Sequence, residues 1–550
     1  MKESTKTRRG VRTKLYFIAL FFLISVTWWV AFNWSTAPQV IGYLLLISIY
    51  LLALFELELC PQNGYRWRRP LILLLVPLVP ILIVIDPVEI GLVGHDAYWT
   101  LNHAKEFRSG LTITGFTDEY LSFPLYYAFA HGINIFVRDL ELTAKYVPLL
   151  TAATPAMYYL GLRRLMAERA AYTSSVGVAS IQTLLFFEAM FVDESLAVLL
   201  FSSLPLFGLI ATKTSHREII WPPLVAIALT HHFLAAVTLA FVGLWWGVHW
   251  RDSQVMSNLF RIDSRQFDPP ASVVVIGCVF LSIALFLLYP FAQTVLRGLF
   301  QSLAAGPSAS TGQVSVSVIQ PSLQEMIKSI GGRVATGLVV GLAFLSVVSR
   351  RKIPEWEFSW ALFGGGLAVV YVFTLAVGQM LNLGGTRLYL PMTIVLLPVA
   401  ISYLHRSEWQ ARTVASYFVI TIFVTAQIFA LAPPLVYSDT STGYVHHGHY
   451  TGPAHQAAET LATVGSDETT VVGYEPELWE VRGQTRFQRF TEEQWLFVDC
   501  SDALYAWKEA TEKEFNIPRE TFERDYNKIY DAGSISLSRC RIPPGLRKSF

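Results

Sequence analysis

The chain is predicted to be an all-α polytopic membrane protein with about thirteen transmembrane helices and a small extracytoplasmic α/β C-terminal domain. Three observations predict this. Of the 550 residues, 53% are hydrophobic and only 15% charged, and the mean hydropathy is +0.43, far more apolar than a soluble chain of this length. The apolar residues gather into runs of about 20, the number a helix needs to cross the hydrocarbon. Basic residues sit in short clusters between those runs, always on one face of the resulting topology. The formal net charge of +1 leaves no basic or acidic surplus of the kind that binds nucleic acid.

Taken in order, the expected spans cover residues 15 to 32, 39 to 58, 71 to 86, 146 to 165, 170 to 191, 194 to 211, 219 to 230, 233 to 249, 271 to 290, 332 to 348, 358 to 377, 388 to 404 and 414 to 433. Lys2, Lys6, Arg8, Arg9, Arg12 and Lys14 set the N-terminus on the cytoplasmic side, and the segment does not read as a cleavable signal ahead of a soluble domain. The loops then assigned inside carry Arg66, Arg68 and Arg69; Arg163, Arg164 and Arg169; Lys213 and Arg217; Arg251, Arg261 and Arg265; Arg350, Arg351 and Lys352; and Arg406 and Arg412. Counting residues 122 to 137 as a further span would throw every later cluster outside. They are therefore expected to form a helix lying along the outer surface or dipping into it. Between residues 219 and 249, His231 and His232 either separate two short spans or sit within one long helix; the later basic loops favour the separation.

The organisation that follows has three parts. Residues 1–70 hold the cytoplasmic N-terminus and an extra hairpin; residues 71–434 form the main membrane domain, with outer loops 87–145 and 291–331; residues 435–550 form the extracytoplasmic tail. The second loop is rich in Ser, Gly and Pro, as in Ala304-Ala305-Gly306-Pro307-Ser308, which suits a flap rather than a packed unit. In the tail, Thr469–Tyr474 and Trp495–Val498 read as strands and residues 503 to 515 as helix. Cys60 and Cys278 lie in or beside spans, whereas an outer tail would let Cys500 and Cys540 form a disulfide. No internal repeat is visible, which argues against a transporter or flippase built from repeated halves.

Ionisable groups at membrane depth are costly and therefore point to function. Asp96 stands in Gly94-His95-Asp96-Ala97-Tyr98, just after a span and at the head of the first outer loop. It is placed to act as a general base, the alternative being a helix cap or a solvated carboxylate. Asp193 and Glu194 interrupt another apolar stretch at the same face, either as part of the site or as an N-cap with its first-turn acid; the two readings are compatible. Asp118-Glu119 reads as a solvated pair. Arg387, in Gly384-Gly385-Thr386-Arg387-Leu388-Tyr389, and Arg333, after Gly331-Gly332, are candidates to hold a phosphate through parallel hydrogen bonds, with glycines expected to keep backbone amides exposed nearby. Snorkelling at the interface is the alternative for both. His95, Tyr98, Tyr126, His232 and Tyr389 are the residues expected to contact substrate. A metal role for His231-His232 is the minority reading, and His446-His447-Gly448-His449 gives only a weak metal signal. No metal is assigned to the site, and a divalent cation stays open as cofactor.

These features, an acidic residue after a span, the aromatic Phe123-Pro124-Leu125-Tyr126-Tyr127 surface helix, the Leu162-Arg163-Arg164-Leu165 span end, Asp193 at the next hairpin and Thr386-Arg387-Leu388-Tyr389-Leu390-Pro391, together resemble the glycosyltransferase C superfamily. More narrowly they are similar to its enzymes that use dolichyl- or polyprenyl-phosphate sugars, among them the archaeal dolichyl-phosphate-mannose mannosyltransferase of surface-layer N-glycosylation, with Asn527–Ser534 like the ending of many archaeal members. The resemblance implies inverting transfer of one sugar, mannose being the expected one, from a lipid monophosphate to a glycan or protein acceptor on the outer face. An O-antigen-ligase-like transferase of lipid-linked glycan is the enzyme alternative. The chain departs from the family in having Ala97 where a second adjacent acid is usual, in its extra N-terminal hairpin, and in lacking the Trp-Trp-Asp-Tyr-Gly motif of oligosaccharyltransferases.

Overall fold

In the computed structural model the apolar runs are helices, the form in which a backbone surrounded by apolar groups satisfies its own N–H and C=O groups. The structure describes residues 2–33, 39–60, 67–85, 92, 97, 100–101, 103–105, 107, 124–187, 190–213, 221–250, 262–263, 323–349, 353–377, 385–406 and 410–430, and five strands between 470 and 540. The helices are α1 (Lys2–Asn33), α2 (Gln39–Leu54), α3 (Glu56–Leu59), α4 (Arg68–Ile85), α5 (Pro124–Val137), α6 (Leu140–Tyr146), α7 (Thr154–Leu165, entered by a 3-10 turn), α8 (Glu168–Ala179), α9 (Gln182–Phe187), α10 (Asp193–Lys213), α11 (Trp221–Ala228), α12 (His232–Trp250), α13 (Leu323–Val348), α14 (Glu355–Val377), α15 (Gly385–His405) and α16 (Gln410–Ala430).

Every expected span falls on these helices except that at residues 271 to 290, which lies outside the described residues. Among the described residues, Ile330–Val348, Glu355–Phe373 and Leu388–His405 are long and apolar enough to cross a membrane. The 170 to 191 run is two short helices, α8 and α9, because Ser180 folds back to bond the Gly177 carbonyl through both its N–H and its hydroxyl. The 219 to 249 run is also broken, at Leu229–His231, as the basic loops favoured. The eight residues of α11 make about 12 Å of helix, well short of a hydrocarbon core.

Hydrogen bonds and ion pairs sort the loops to the two ends of the bundle. At one end, buried Glu56 pairs with Arg68 and, at 3.1 Å, with Arg69, which also grips Glu168. Glu58 pairs with Arg169 at 3.4 Å and accepts from Tyr417 at 3.2 Å, and Glu357 pairs with Arg406 at 3.0 Å. The loops around residues 56–69, 163–169, 346–357 and 405–417 therefore share one end of the bundle. The Tyr50 hydroxyl donates to the Ala179 carbonyl at 2.7 Å and that of Tyr172 to Ala53 at 3.0 Å, so the N-terminal hairpin is stitched into the bundle.

A glycine sets the close crossing of α7 and α10. A Cβ on Gly161 of α7 would stand 2.8 Å from the Leu206 main-chain nitrogen and 2.9 Å from the Pro205 Cβ of α10. Neither can swing away, so Gly161→Ala is expected to cost about 1–3 kcal/mol through overpacking. Thermal melting of the detergent-solubilised variant measures this, and an unchanged midpoint would show that the two helices part freely.

Two expectations are corrected. The 291–331 loop ends sooner than expected, since α13 starts at Leu323; Leu323, Met326 and Ile330 continue the apolar stripe of the span back through its last nine residues. Residues 503 to 508 are a strand rather than the start of a helix. Ala503–Lys508 (β5) pairs antiparallel with Ile535–Cys540 (β7), with Leu504 opposite Arg539 and Trp507 opposite Ser536. With Thr470–Gly473 (β3), Arg486–Arg489 (β4) and Tyr526–Asp531 (β6), these form a mixed sheet of order β4-β3-β5-β7-β6, in which β3 runs parallel to both neighbours. Two further residue pairs, Ile262–Asp263 (β1) and Ile353–Pro354 (β2), join in parallel before α14. Cys500 lies outside the described residues.

Candidate active site

At the end of the bundle opposite the Glu56 cluster, a tight turn launches α10. Val192 bonds back to the Met190 carbonyl, and both the N–H and the hydroxyl of Ser195 bond to the Val192 carbonyl. Asp193 and Glu194 are therefore the first two residues of the helix, where its dipole favours negative charge. The break between α11 and α12 brings His231 to them. His231 is 2% exposed, and its Nε2 lies 3.1 Å from Oε1 of Glu194. Asp193, Glu194 and His231 each offer one ligand atom, all within 4.8 Å of one another, a set of donors that can hold a divalent cation. Two adjacent carboxylates repel, and a histidine N–H or a cation at this spot relieves the repulsion.

The surface helix closes over this corner. The N–H of Leu125 in α5 bonds the Leu229 carbonyl at 3.1 Å, and the buried Tyr126 ring packs 5.0 Å from Phe191. Burial pushes the Tyr126 phenol well above its ordinary pKa, with Ser195 opposing and Asp193 and Glu194 adding to the shift, so it stands as a neutral hydroxyl beside the acids. The first outer loop joins the same core. Ala97, Leu101, Ala104 and Phe107, at helical spacing, share a buried cluster with Tyr126, Tyr127, Ala130 and Phe191. His131 meets the Ala104 carbonyl at 2.7 Å. Asp96, His95 and Tyr98 lie outside the described residues; Ala97, the neighbour of both Asp96 and Tyr98, is fully buried in that cluster.

A second polar group gathers at this end where α13, α15 and α16 meet. The Tyr389 hydroxyl is bonded to Thr336 and accepts from Gln427 Nε2 at 2.6 Å; that nitrogen also reaches the Gly332 carbonyl at 3.2 Å. Gln427 Oε1 accepts from the Gln182 N–H at 3.1 Å, tying the group to α9, the helix that leads into the acidic turn. Arg333, exposed, follows Gly332 on α13, and Arg387 lies in the first turn of α15, its side chain outside the described residues.

No family model and no curated protein sequence matches the chain. Among solved structures, the Archaeoglobus fulgidus oligosaccharyltransferase tethered with an acceptor peptide containing the NVT sequon superposes over 87% of this chain and 74% of its own, with a TM-score of 0.50 and 10% identity. The same enzyme in complex with Zn and sulfate covers 85% and 73% at a TM-score of 0.45 and 12% identity. The mycobacterial arabinofuranosyltransferase AftD covers 87% of this chain at a TM-score of 0.46 and 14% identity, and the chain spans 40% of AftD. The fold is similar to that of the Archaeoglobus fulgidus oligosaccharyltransferase.

Within this fold, the corner at Asp193 departs from the expectation in several ways. His231, not His232, meets the carboxylates; His232 is the first residue of α12, with its side chain outside the described ones. Tyr389 is 7% exposed, and its hydroxyl bonds Thr336 and Gln427, tying α15 to α13 and α16. The Gly331-Gly332 amides belong to the interior of α13, where helical bonds take them up, so they are not exposed for an anion. Gly332 instead admits α16, for a Cβ there would stand 3.2 Å from that of Ala430.

Proposed function

We propose that the chain transfers a single sugar, mannose by its sequence resemblance, from a dolichyl or polyprenyl monophosphate to a glycan or protein acceptor on the outer face of the membrane, in protein N-glycosylation. The observation that carries this reading is the convergence of the Asp193–Glu194 turn, His231 and the Tyr126 helix at one end of a glycosyltransferase C fold. Residues 71–434 then form the catalytic membrane domain and residues 435–550 an extracytoplasmic domain. The acceptor hydroxyl gives its proton to Asp96 as its oxygen bonds the anomeric carbon. The bond from that carbon to the phosphate oxygen breaks on the opposite face, and the lipid phosphate leaves with the bonding pair. Arg387, or Arg333 as second choice, neutralises the leaving phosphate. Asp193 and Glu194 orient the acceptor hydroxyl, and they are the carboxylates that would hold a divalent cation and lend its charge to the leaving phosphate.

The test uses the purified chain in nanodiscs with synthetic polyprenyl-phosphate mannose and a glycopeptide acceptor. Gain of one hexose by the acceptor is expected. Transfer only from a diphosphate-linked oligosaccharide would move the assignment to an en bloc or ligase-type enzyme, and lipid-linked sugar crossing the bilayer without transfer would make the chain a flippase. In the same assay Arg387→Ala is expected to lose turnover on the order of 100-fold, with Arg387→Lys intermediate because it keeps charge but not the two parallel bonds. Wild-type kinetics for both would leave Arg387 a snorkelling residue.

A further inference from the structure

His231 occupies the N-cap of α12. Its main-chain N–H bonds the Ile227 carbonyl at 3.0 Å, its carbonyl accepts from Ala235 at 3.0 Å, and its ring Nδ1 lies 3.2 Å from the Leu234 nitrogen. A backbone N–H is only a donor, so Nδ1 must present its lone pair there. A neutral imidazole carries one proton, which is left to Nε2, 3.1 Å from Glu194 Oε1. Turned over about its Cβ–Cγ bond, the ring would place carbon at both contacts and lose both bonds. The Phe233 ring stands nearly edge-on to it, 6.4 Å away and at 78°, in a site where His231 is 2% exposed.

Taking the Asp193–Glu194 corner as the working site, we infer that His231 is a positioning residue that donates its Nε2 proton to Glu194, and not a ligand of any cation held there. Coordination through Nε2 needs the lone pair of that nitrogen. The proton would then move to Nδ1, where it would face the Leu234 N–H and break the helix cap. With the Nε2 lone pair withheld, the ligand atoms this corner can offer a cation are the carboxylate oxygens of Asp193 and Glu194. That is an oxygen-only set, which suits Mg2+ or Mn2+ rather than Zn2+.

The solid-state 15N spectrum of the full-length protein in proteoliposomes, labelled at its histidine rings, reads the tautomer directly, with His231→Gln and His231→Asn spectra identifying the His231 signals. A neutral ring protonated at Nε2, unchanged when Zn2+ is added, is the expected result. A ring that gives up its Nε2 proton to bind Zn2+ overturns the inference. In sugar transfer, His231→Gln can still donate to Glu194 and is expected to stay within about 5-fold of wild type, while His231→Leu falls by roughly 10- to 100-fold, the usual effect of losing the partner that orients a functional group. Equal loss in both variants, or none in His231→Leu, counts against a donor role. Failure of the site itself shows separately: Glu194→Gln would transfer sugar normally whatever the tautomer of His231.

Discussion

Asp96→Asn is expected to stop sugar transfer while the protein accumulates and melts as the wild type does. Asn keeps the size and hydrogen bonding of the side chain but cannot take a proton, and loss of a general base costs roughly 100- to 10,000-fold in rate. Ala97 is buried in the cluster that also holds Phe191, two residues before Asp193, so the first outer loop packs against the corner where Glu194 and His231 meet. Purified Asp96→Asn assayed with polyprenyl-phosphate mannose gives the answer. Turnover close to wild type would remove Asp96 from the chemistry and leave Asp193 or Glu194 as the base.

The largest effect on stability is expected at the other end of the bundle. Glu56 is fully buried and binds both Arg68 and Arg69, whose side chains are 5% and 13% exposed. Glu56→Leu leaves the Arg68 charge in the interior, facing the Cys60 carbonyl 2.7 Å away but no carboxylate of its own. Removing one partner of a buried ion pair costs about 3–5 kcal/mol. The variant should melt well below wild type in detergent and accumulate less in the membrane. Adding Arg68→Leu should recover part of the loss, because Arg69 keeps Glu168 as its partner. A Glu56→Leu protein as stable as wild type would mean that water reaches this cluster and screens it.

The helices could be read from the chain because an apolar run has few alternatives to helix, and the gathering of several basic loops at one end because ion pairs with Glu56, Glu58, Glu168 and Glu357 hold them there. The acidic turn was legible for a local reason, Asp193 and Glu194 opening an apolar helix. The choice between His231 and His232 was not, since adjacent histidines differ only in which one caps α12, and a shift of one residue in the helix start reverses them. The Gly331-Gly332 pair misled because glycines signal a loop in a soluble chain, whereas here they lie inside α13 and let α16 approach. The β5 strand was misread because Ala503-Leu504-Tyr505-Ala506-Trp507-Lys508 has residues common in helices, and only pairing with β7 decides its form. His231 beside Glu194 joins residues 37 apart in sequence, a proximity no local pattern encodes.

The bond between the Leu125 N–H and the Leu229 carbonyl has a mechanical consequence. The start of α5 and the end of α11 each leave backbone groups without a partner in their own helix, and this contact satisfies one of each. Pulling α5 away would strand an amide and a carbonyl among apolar side chains, at about 1–3 kcal/mol apiece. The surface helix and the turn carrying His231 are thus latched and travel as one body. Any hinge that opens this end of the bundle must bend elsewhere and leave this latch shut.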